Sequence, residues 1–139
     1  TLLDSLRKRV DFTSECVSRL GLEGIESLCL RAEEAPLEMR ESYDIATSRA
    51  VAKLNLLLEL ALPFVRTGGV FLAMKSVDCG PEVEGAAHAI KLLGGRVRDQ
   101  ADYQIPGTEI THRVVAIEKV APTLKGYPRR WAKIQKEPL

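Results

Sequence analysis

Hydrophobic residues recur at two different spacings along the chain, and the change of spacing marks the predicted elements. Short apolar or alternating runs predict six strands, at residues 1–4, 25–30, 43–47, 70–74, 96–104 and 112–118. Apolar residues at helical spacing predict helices between the first five strands, at residues 6–20, 34–41, 51–65 and 81–93. The two glycines at residues 68 and 69 predict a turn at residues 66–69.

The order of these elements predicts an α/β fold. Strands that alternate with helices form a mainly parallel sheet that is covered on both faces. The last two strands have no helix between them, so we expect them to pair as an antiparallel hairpin. A hairpin at this place is typical of Rossmann-like methyltransferases that use a nucleoside cofactor, whereas a dehydrogenase more often adds another parallel unit. The chain opens directly in a strand, which indicates an N-terminally truncated fold.

The composition fits one globular domain of 139 residues, since 45% of them are hydrophobic and 28% are charged. No run approaches the ~18 consecutive apolar residues of a transmembrane helix, and we see no signal peptide. The three cysteines, Cys16, Cys29 and Cys79, lack the spacing of a metal site and are odd in number. These features predict a reduced, cytoplasmic protein with no metal site and no membrane anchor.

Charge is distributed unevenly along the chain, although the net charge is only +1. Residues 119–139 carry a net +5, and the remainder carries a net −4. A basic tail on a mildly acidic body predicts a polyanionic partner, while a solvated tail is the simpler alternative. The region from Pro122 onward shows no regular pattern and is predicted to be irregular.

Polar residues follow four of the predicted strands. Ligands of an open α/β sheet bind beyond the carboxyl ends of its strands, so these residues are candidates for a site: Asp4, Ser5, Arg31, Ala32, Glu33, Ser48, Arg49 and Lys75. A carboxylate at Asp4 can accept hydrogen bonds from both hydroxyls of a ribose, or it can complement the dipole of the helix that follows. Glu33 has the same alternative as a first-turn helix charge.

Arg49 follows a strand that the pattern predicts to be buried, and a buried guanidinium needs a partner. One interpretation is a structural ion pair with Asp44 or Glu33. The other is a fixed cation at the rim of a site, where it meets a carboxylate or a phosphate of a cofactor. The residues alone leave both interpretations open.

Motifs for covalent or metal-assisted catalysis are absent from the sequence. There is no HExxH, no Cys/His cluster, no G-x-S-x-G and no visible pair of nucleophile and base. His112 starts the last predicted strand, and a lone histidine is more often structural than catalytic. No catalytic residue can therefore be assigned.

The residues nevertheless resemble a known family over essentially the whole chain. The likeness is carried, in order, by LLDSLRKRVDF, RAEEAP, YDIATSRAVAKLNLLLELALPFVRTGG, FLAMKS, THRVVAIEKVAPT and GYPRRWAKIQKEPL. These stretches are similar to the bacterial RsmG (GidB) family, whose members methylate N7 of a guanine in 16S ribosomal RNA with S-adenosylmethionine. The resemblance implies a class I methyltransferase sheet that lacks its N-terminal strand and Gly-rich loop, and a chain that is inactive on its own.

The resemblance also assigns roles to individual residues. It implies that six residues line the cofactor: Asp4, Ser5, Leu6, Ala32, Glu33 and Arg49. The basic residues Lys75, Arg113, Arg129 and Arg130 are candidates for contacts to RNA phosphates. We expect a partial methyltransferase domain at residues 1–121 and a basic tail at residues 122–139.

The target that the resemblance implies explains why the sequence shows no general base. Guanine N7 has an in-plane lone pair and no proton, so it can attack a sulfonium methyl group without a general base. The expected partner is 16S ribosomal RNA or the small ribosomal subunit, and the expected state of the full-length protein is a monomer. Two alternatives stay open: a small-molecule methyltransferase of the same fold, and a non-catalytic nucleotide-binding or assembly module that keeps the fold.

Overall fold

The computed structural model describes all residues from Thr1 to Leu139, and these residues form two compact units. The first unit comprises Thr1–Pro36 and the second comprises Leu37–Leu139. Strands and helices alternate in both units, as the hydrophobic pattern predicts. No helix in the structure is both long enough and apolar enough to cross a membrane.

The first unit is a single βαβ arrangement. Strand β1 (Leu2–Asp4) leads into helix α1 (Arg7–Arg19), and strand β2 (Ser27–Cys29) returns parallel to β1. Asp4 is in register with Cys29, so the carboxyl ends of the two strands are level. A short 3-10 turn at Ala32–Glu34 follows β2. This arrangement places the residues after both strands at one edge of the small sheet.

The second unit is built on a four-stranded sheet in the order β3-β4-β6-β5. Its strands are β3 (Tyr43–Arg49), β4 (Val65–Ser76), β5 (Gly95–Gln104) and β6 (Thr111–Lys119). The β3–β4 pair is parallel, whereas β6 is antiparallel to both β4 and β5. The predicted parallel order with a closing antiparallel hairpin is thus confirmed.

Helices cover one face of this sheet and form the core with it. They are α2 (Leu54–Ala61), α3 (Gly80–Gly85) and α4 (Ala87–Leu92). The leucines of α2 pack against alternate residues of β4 and β6, including Phe71, Ala73, Val115 and Ile117, all of which are fully buried. Alternation of buried and accessible residues along β4 is what a half-covered sheet requires.

The predicted turn at residues 66–69 is wrong, because these residues form a bulge within β4. Tyr43 pairs with Val65 and Ile45 pairs with Val70, so four residues of β4 lie opposite the single residue Asp44 of β3. Gly68 has a φ of 84°, and a Cβ at Gly69 would lie 2.5 Å from the Asp44 carbonyl oxygen. The two glycines therefore allow a close approach of the backbones rather than a reversal of the chain.

Three predicted helices differ from the observed ones. The segment predicted at 34–41 contains the 3-10 turn Leu37–Met39 and only the last residue of the turn Ala32–Glu34. The apolar helix begins at Leu54 rather than at residue 51, because the backbone of Lys53 is extended, with a ψ of 151°. The helix predicted at 81–93 is divided into α3 and α4 at Ala86, whose backbone is not helical.

The C-terminal segment is ordered, so the prediction of an irregular tail is wrong. It contains helix α5 (Trp131–Lys136), which buries Ile134 completely. The second compact unit includes this segment together with the sheet. A boundary at residue 121 stays a prediction that rests on charge alone.

Candidate cofactor site and basic residues

Asp4 ends β1 and is held as a carboxylate. Its Oδ1 accepts a hydrogen bond of 2.8 Å from the Leu6 backbone N–H, and its Oδ2 lies 3.3 Å from Nη1 of Arg9. The Leu6 hydrogen bond and, to a smaller extent, Arg9 lower the pKa of Asp4 below its ordinary value. The side chain stays partly accessible, so it keeps lone pairs for a ligand.

Glu33 is the second carboxylate at this edge of the first unit. Its side chain is only 7% exposed, and its ion-pair partner Arg31 stands 3.7 Å away, which is longer than a hydrogen bond. Ala32 and Glu33 belong to the 3-10 turn that follows β2. The helical alternative for Glu33 is therefore compatible with the local structure, but the carboxylate keeps acceptor capacity.

Ser5 and Leu6 form the turn between β1 and α1. The Leu6 carbonyl accepts the backbone N–H of Val10, and the Cys29 thiol lies 3.8 Å from the Ser5 carbonyl oxygen. These contacts join the two strand ends of the unit. Asp4, Ser5, Leu6, Ala32 and Glu33 are thus brought to the same edge of one βαβ arrangement.

Arg49 ends β3 in the second unit, and its predicted burial is wrong. β3 is an edge strand whose residues are half-buried or exposed, and Arg49 itself is exposed. The acids considered as its structural partners each pair with another arginine, Asp44 with Arg66 at 2.7 Å and Glu33 with Arg31. The Arg49 guanidinium therefore has donors to offer a ligand without breaking a structural pair.

Ser48 carries the one buried side-chain polar atom that has no hydrogen-bond partner in the structure. Successive residues of a strand point to opposite faces, so Ser48 and Arg49 face opposite sides of the sheet. An unpaired buried hydroxyl is unfavourable, and its occurrence next to Arg49 marks the carboxyl end of β3 as locally unsatisfied.

Two of the basic candidates for RNA contact are engaged within the protein. The Lys75 ammonium donates to the Ala52 carbonyl at 2.9 Å and to Glu82 Oε1 at 2.7 Å. Arg113 makes two hydrogen bonds to the carboxylate of Asp102, at 2.6 and 2.8 Å. This contact raises the pKa of Arg113 and lowers that of Asp102. Both positive charges are largely neutralised where they stand.

Arg129 and Arg130 differ sharply from each other. The Arg129 guanidinium forms hydrogen bonds of 2.7 to 3.1 Å to both oxygens of Glu59, whose side chain is 0% exposed. Its backbone N–H donates to the same carboxylate at 2.7 Å. Arg130 is exposed. Arg129 thus fixes the C-terminal segment to α2 through Glu59, whereas the charge of Arg130 stays available to solvent.

A second polar cluster, which the sequence pattern does not indicate, ties the C-terminal segment to the unit. Arg40 donates to the carbonyl oxygens of Thr123 and Leu124 at 2.7 and 2.9 Å, and also to that of Tyr127. Glu41 accepts the Thr123 N–H at 2.6 Å. More than 80 residues separate the partners along the chain, so no local pattern could indicate these contacts.

Lys119 lies at the centre of this cluster with a side chain that is 0% exposed. Its ammonium donates to the Leu62 carbonyl at 3.0 Å and to the Thr123 hydroxyl, and Glu41 lies 3.5 Å away. Burial lowers the pKa of Lys119 from 10.5 to about 8, against the opposing effect of Glu41.

The Lys119 pKa predicts a stability that rises with pH. The folded pKa is lower than the unfolded one, so the unfolded chain binds more protons between about pH 8 and 10.5. The free energy of unfolding should gain up to about 3 kcal/mol from this group across that window. Urea unfolding at several pH values should show this rise, and Lys119→Met should flatten it. A rise of equal size in both proteins would contradict the assignment.

No three His, Cys, Asp or Glu side chains lie together in a way that could hold a metal ion.

The sequence is similar to one family of known proteins. A family profile described as rRNA small subunit methyltransferase G (GidB) matches residues 1–106. The chain is 42% identical to ribosomal RNA small subunit methyltransferase G of Clostridium beijerinckii and 44% identical to that of Alkaliphilus metalliredigens. Each match covers 100% of this chain and 59% of the relative's length. The chain thus spans less than two thirds of these relatives.

Solved structures give the same fold. The TYW2 protein of M. jannaschii, solved in complex with AdoMet, matches 85% of this chain and 57% of its own, with a TM-score of 0.63 and 13% identity. An rRNA methylase of Streptococcus thermophilus matches 86% of this chain and 72% of its own, with a TM-score of 0.57 and 20% identity. Likeness at such low identity shows the fold alone, and it confirms the predicted Rossmann-like class I methyltransferase sheet.

Because the family profile matches well over half of the chain and the aligned relatives agree with it over its full length, the chain belongs to the rRNA small subunit methyltransferase G (GidB) family.

Proposed function

We propose that these residues form part of an S-adenosylmethionine-dependent enzyme that methylates N7 of a guanine in 16S ribosomal RNA. The observation that carries the proposal is the pair of carboxylates, Asp4 and Glu33, after the two adjacent parallel strands of the first unit. Family membership gives this pair its meaning, since the resemblance assigns both residues to the cofactor.

The two carboxylates fit the adenosine end of the cofactor. A ribose offers two hydroxyl donors, and a carboxylate at the end of a strand is a suitable acceptor for both. The Leu6 N–H and Arg9 lower the pKa of Asp4, so its side chain is ionised. The side chain is also partly accessible. Glu33 has no hydrogen bond to its arginine neighbour and can accept one from the ligand. Ser5, Leu6 and Ala32 complete this part of the site with their backbone groups and uncharged side chains.

Arg49 supplies a cation at the carboxyl end of β3 in the second unit. Its guanidinium suits a carboxylate, which it can bind with two parallel hydrogen bonds. Its side chain is exposed, and the nearby acid of the same strand, Asp44, pairs with Arg66 instead. We assign Arg49 to the cofactor rather than to a structural pair.

Methylation at guanine N7 requires the protein mainly to position the cofactor and the guanine. S-adenosylmethionine, when bound, supplies an electrophilic methyl group. Guanine N7 has no proton to remove, so the residues of this chain need only bind, orient and exclude water. No side chain in the described site has to act as a general base.

The RNA surface that we propose is centred on Arg130. Lys75, Arg113 and Arg129 hold their charges against Glu82, Asp102 and Glu59, whereas Arg130 and two lysines of α5, Lys133 and Lys136, are exposed. Exposed cations along one segment suit the phosphates of RNA. The small ribosomal subunit as partner, a cytoplasmic location and a monomeric state complete the proposal.

Cofactor titration tests this assignment. The protein for the test, called the extended protein below, joins these 139 residues to the further portion that their relatives have. Asp4→Ala, Glu33→Ala and Arg49→Ala should each weaken S-adenosylmethionine binding about 10- to 100-fold, the effect of losing a charge-assisted hydrogen bond of about 1.5–3 kcal/mol. The control is Asp44→Ala, which removes an exposed acid of β3 and should leave affinity unchanged. Unchanged affinity in the first three variants would refute the site.

A further inference from the structure

Glu82 joins three parts of the second unit through one carboxylate oxygen. Its Oε1 accepts the Lys75 ammonium at 2.7 Å and the backbone N–H of Leu54. Lys75 in turn donates to the Ala52 carbonyl at 2.9 Å. Glu82 belongs to α3 and Lys75 to the end of β4. Ala52 lies in the connection between β3 and α2, and Leu54 is the first residue of α2. The Lys75–Glu82 pair therefore holds that connection from outside.

The connection needs such support because few interactions within residues 50–53 stabilise it. Residues 50–53 follow Arg49 directly, and Ala50 adopts the left-handed region with a φ of 54°, which is unfavourable for a residue other than glycine. Lys53, at the N-cap of α2, makes no capping hydrogen bond with its side chain. Glu82 thus takes the place of a local cap, since it accepts the Leu54 N–H from a different helix.

The position of Arg49 depends on this connection. Arg49 is the last residue of β3 and is in register with Met74, the residue before Lys75. The β3–β4 ladder fixes the backbone up to Arg49, and residues 50–53 follow Arg49 directly along the chain. Lys75 reaches across from the neighbouring strand to fix Ala52, three residues beyond Arg49.

We propose that Lys75 and Glu82 are positioning residues for Arg49: their pair clamps residues 50–53 and thereby sets the direction of the Arg49 guanidinium toward the cofactor. This inference rests on the proposed function of Arg49. It assigns Lys75 to the cofactor side of the reaction, as a residue that acts through its neighbour and not through RNA phosphates.

The test uses cofactor affinity in the extended protein. Glu82→Gln and Lys75→Met should each weaken S-adenosylmethionine binding roughly tenfold, with folding retained. In an Arg49→Ala background the same changes should add almost nothing, because the residue through which they act is gone. Lys75→Arg, which keeps a donor of the same charge, should recover most of the affinity. RNA affinity and its salt dependence should stay unchanged in all of these variants.

The matched control is Glu118→Gln. Glu118 accepts Arg96 at 2.7 Å and is 26% exposed, against 29% for Glu82, but it lies on β6 away from the connection. It should leave cofactor affinity unchanged. Amide hydrogen exchange gives a readout that is independent of the cofactor: Leu54 and residues 50–53 should exchange faster in Glu82→Gln and at the normal rate in Glu118→Gln.

The outcomes separate this inference from the proposed function. If Arg49→Ala weakens binding but Glu82→Gln and Lys75→Met do not, the positioning role is wrong and the cofactor site stands. Equal losses from Glu82→Gln with and without Arg49 would also overturn it, because the effect would then not pass through Arg49. If Arg49→Ala leaves affinity unchanged, the proposed function of Arg49 fails and the inference falls with it.

Discussion

Arg129→Ala is expected to lower the free energy of unfolding by about 3–5 kcal/mol, the cost of leaving one member of a buried ion pair without its partner. Glu59 is fully buried in α2, and the Arg129 side chain makes three hydrogen bonds to it. Without them the buried carboxylate would keep only the hydrogen bond from the backbone N–H of residue 129 and would have no positive partner. Urea unfolding of the extended protein should show the loss, and Arg130→Ala, the adjacent exposed control, should change stability by less than about 0.5 kcal/mol.

In RNA binding we expect the opposite result, with an effect from Arg130→Ala and none from Arg129→Ala. Arg130→Ala should weaken binding and lower the slope of log affinity against log salt by roughly 0.7 to 0.9 if one phosphate contact is lost. Arg129→Ala, measured where the variant is still folded, should leave that slope unchanged. A stable Arg129→Ala variant with a reduced slope would mean that the pair with Glu59 is not what holds this segment.

The 139 residues expressed alone are expected to self-associate and to transfer no methyl groups. Both β1 and β3 are edge strands of their sheets, and edge strands pair readily with other chains. Large apolar side chains are also accessible, among them Phe12 at 66% and Ile45 at 55%. Light scattering should therefore report oligomers or aggregates for the isolated chain, and methyl transfer to RNA should be undetectable.

The extended protein is the control for this experiment. It should be monodisperse under the same buffer conditions and should bind S-adenosylmethionine. The expectation would be refuted by a monodisperse monomer of the 139 residues that methylates RNA.

The fold is largely predictable from the sequence because its information is local. Strands of four to nine residues that alternate with amphipathic helices predict the βα order, and the lack of a helix before the last strand predicts the hairpin. The errors lie where backbone detail overrides composition. Two glycines that predict a turn at residues 66–69 instead allow a bulge against Asp44, and an extended Lys53 delays the start of α2. Neither effect has a signature in hydrophobic periodicity.

The site is predictable from the sequence only in part. The rule that ligands bind at the carboxyl ends of strands gives eight candidate residues, among them Asp4, Glu33 and Arg49. Only the family resemblance selects these three for the cofactor, and the burial that the strand pattern predicts for Arg49 is wrong. The ion pairs of the basic residues are not predictable, because Arg129 and Glu59 are 70 positions apart and meet only in the folded unit. Charge counting therefore treats all basic residues near the C-terminus as equivalent.

Methyl transfer to small ribosomal subunits tests the proposed function without an intermediate step. The extended protein would be given S-adenosylmethionine with a labelled methyl group and subunits that lack the modification, and the 16S RNA would then be cleaved chemically at N7-methylguanine. We expect label at N7 of one guanine, with much less label for the Asp4→Ala and Arg49→Ala variants under limiting cofactor. Undiminished transfer by both variants, or label on another atom or on no RNA at all, would contradict the proposal.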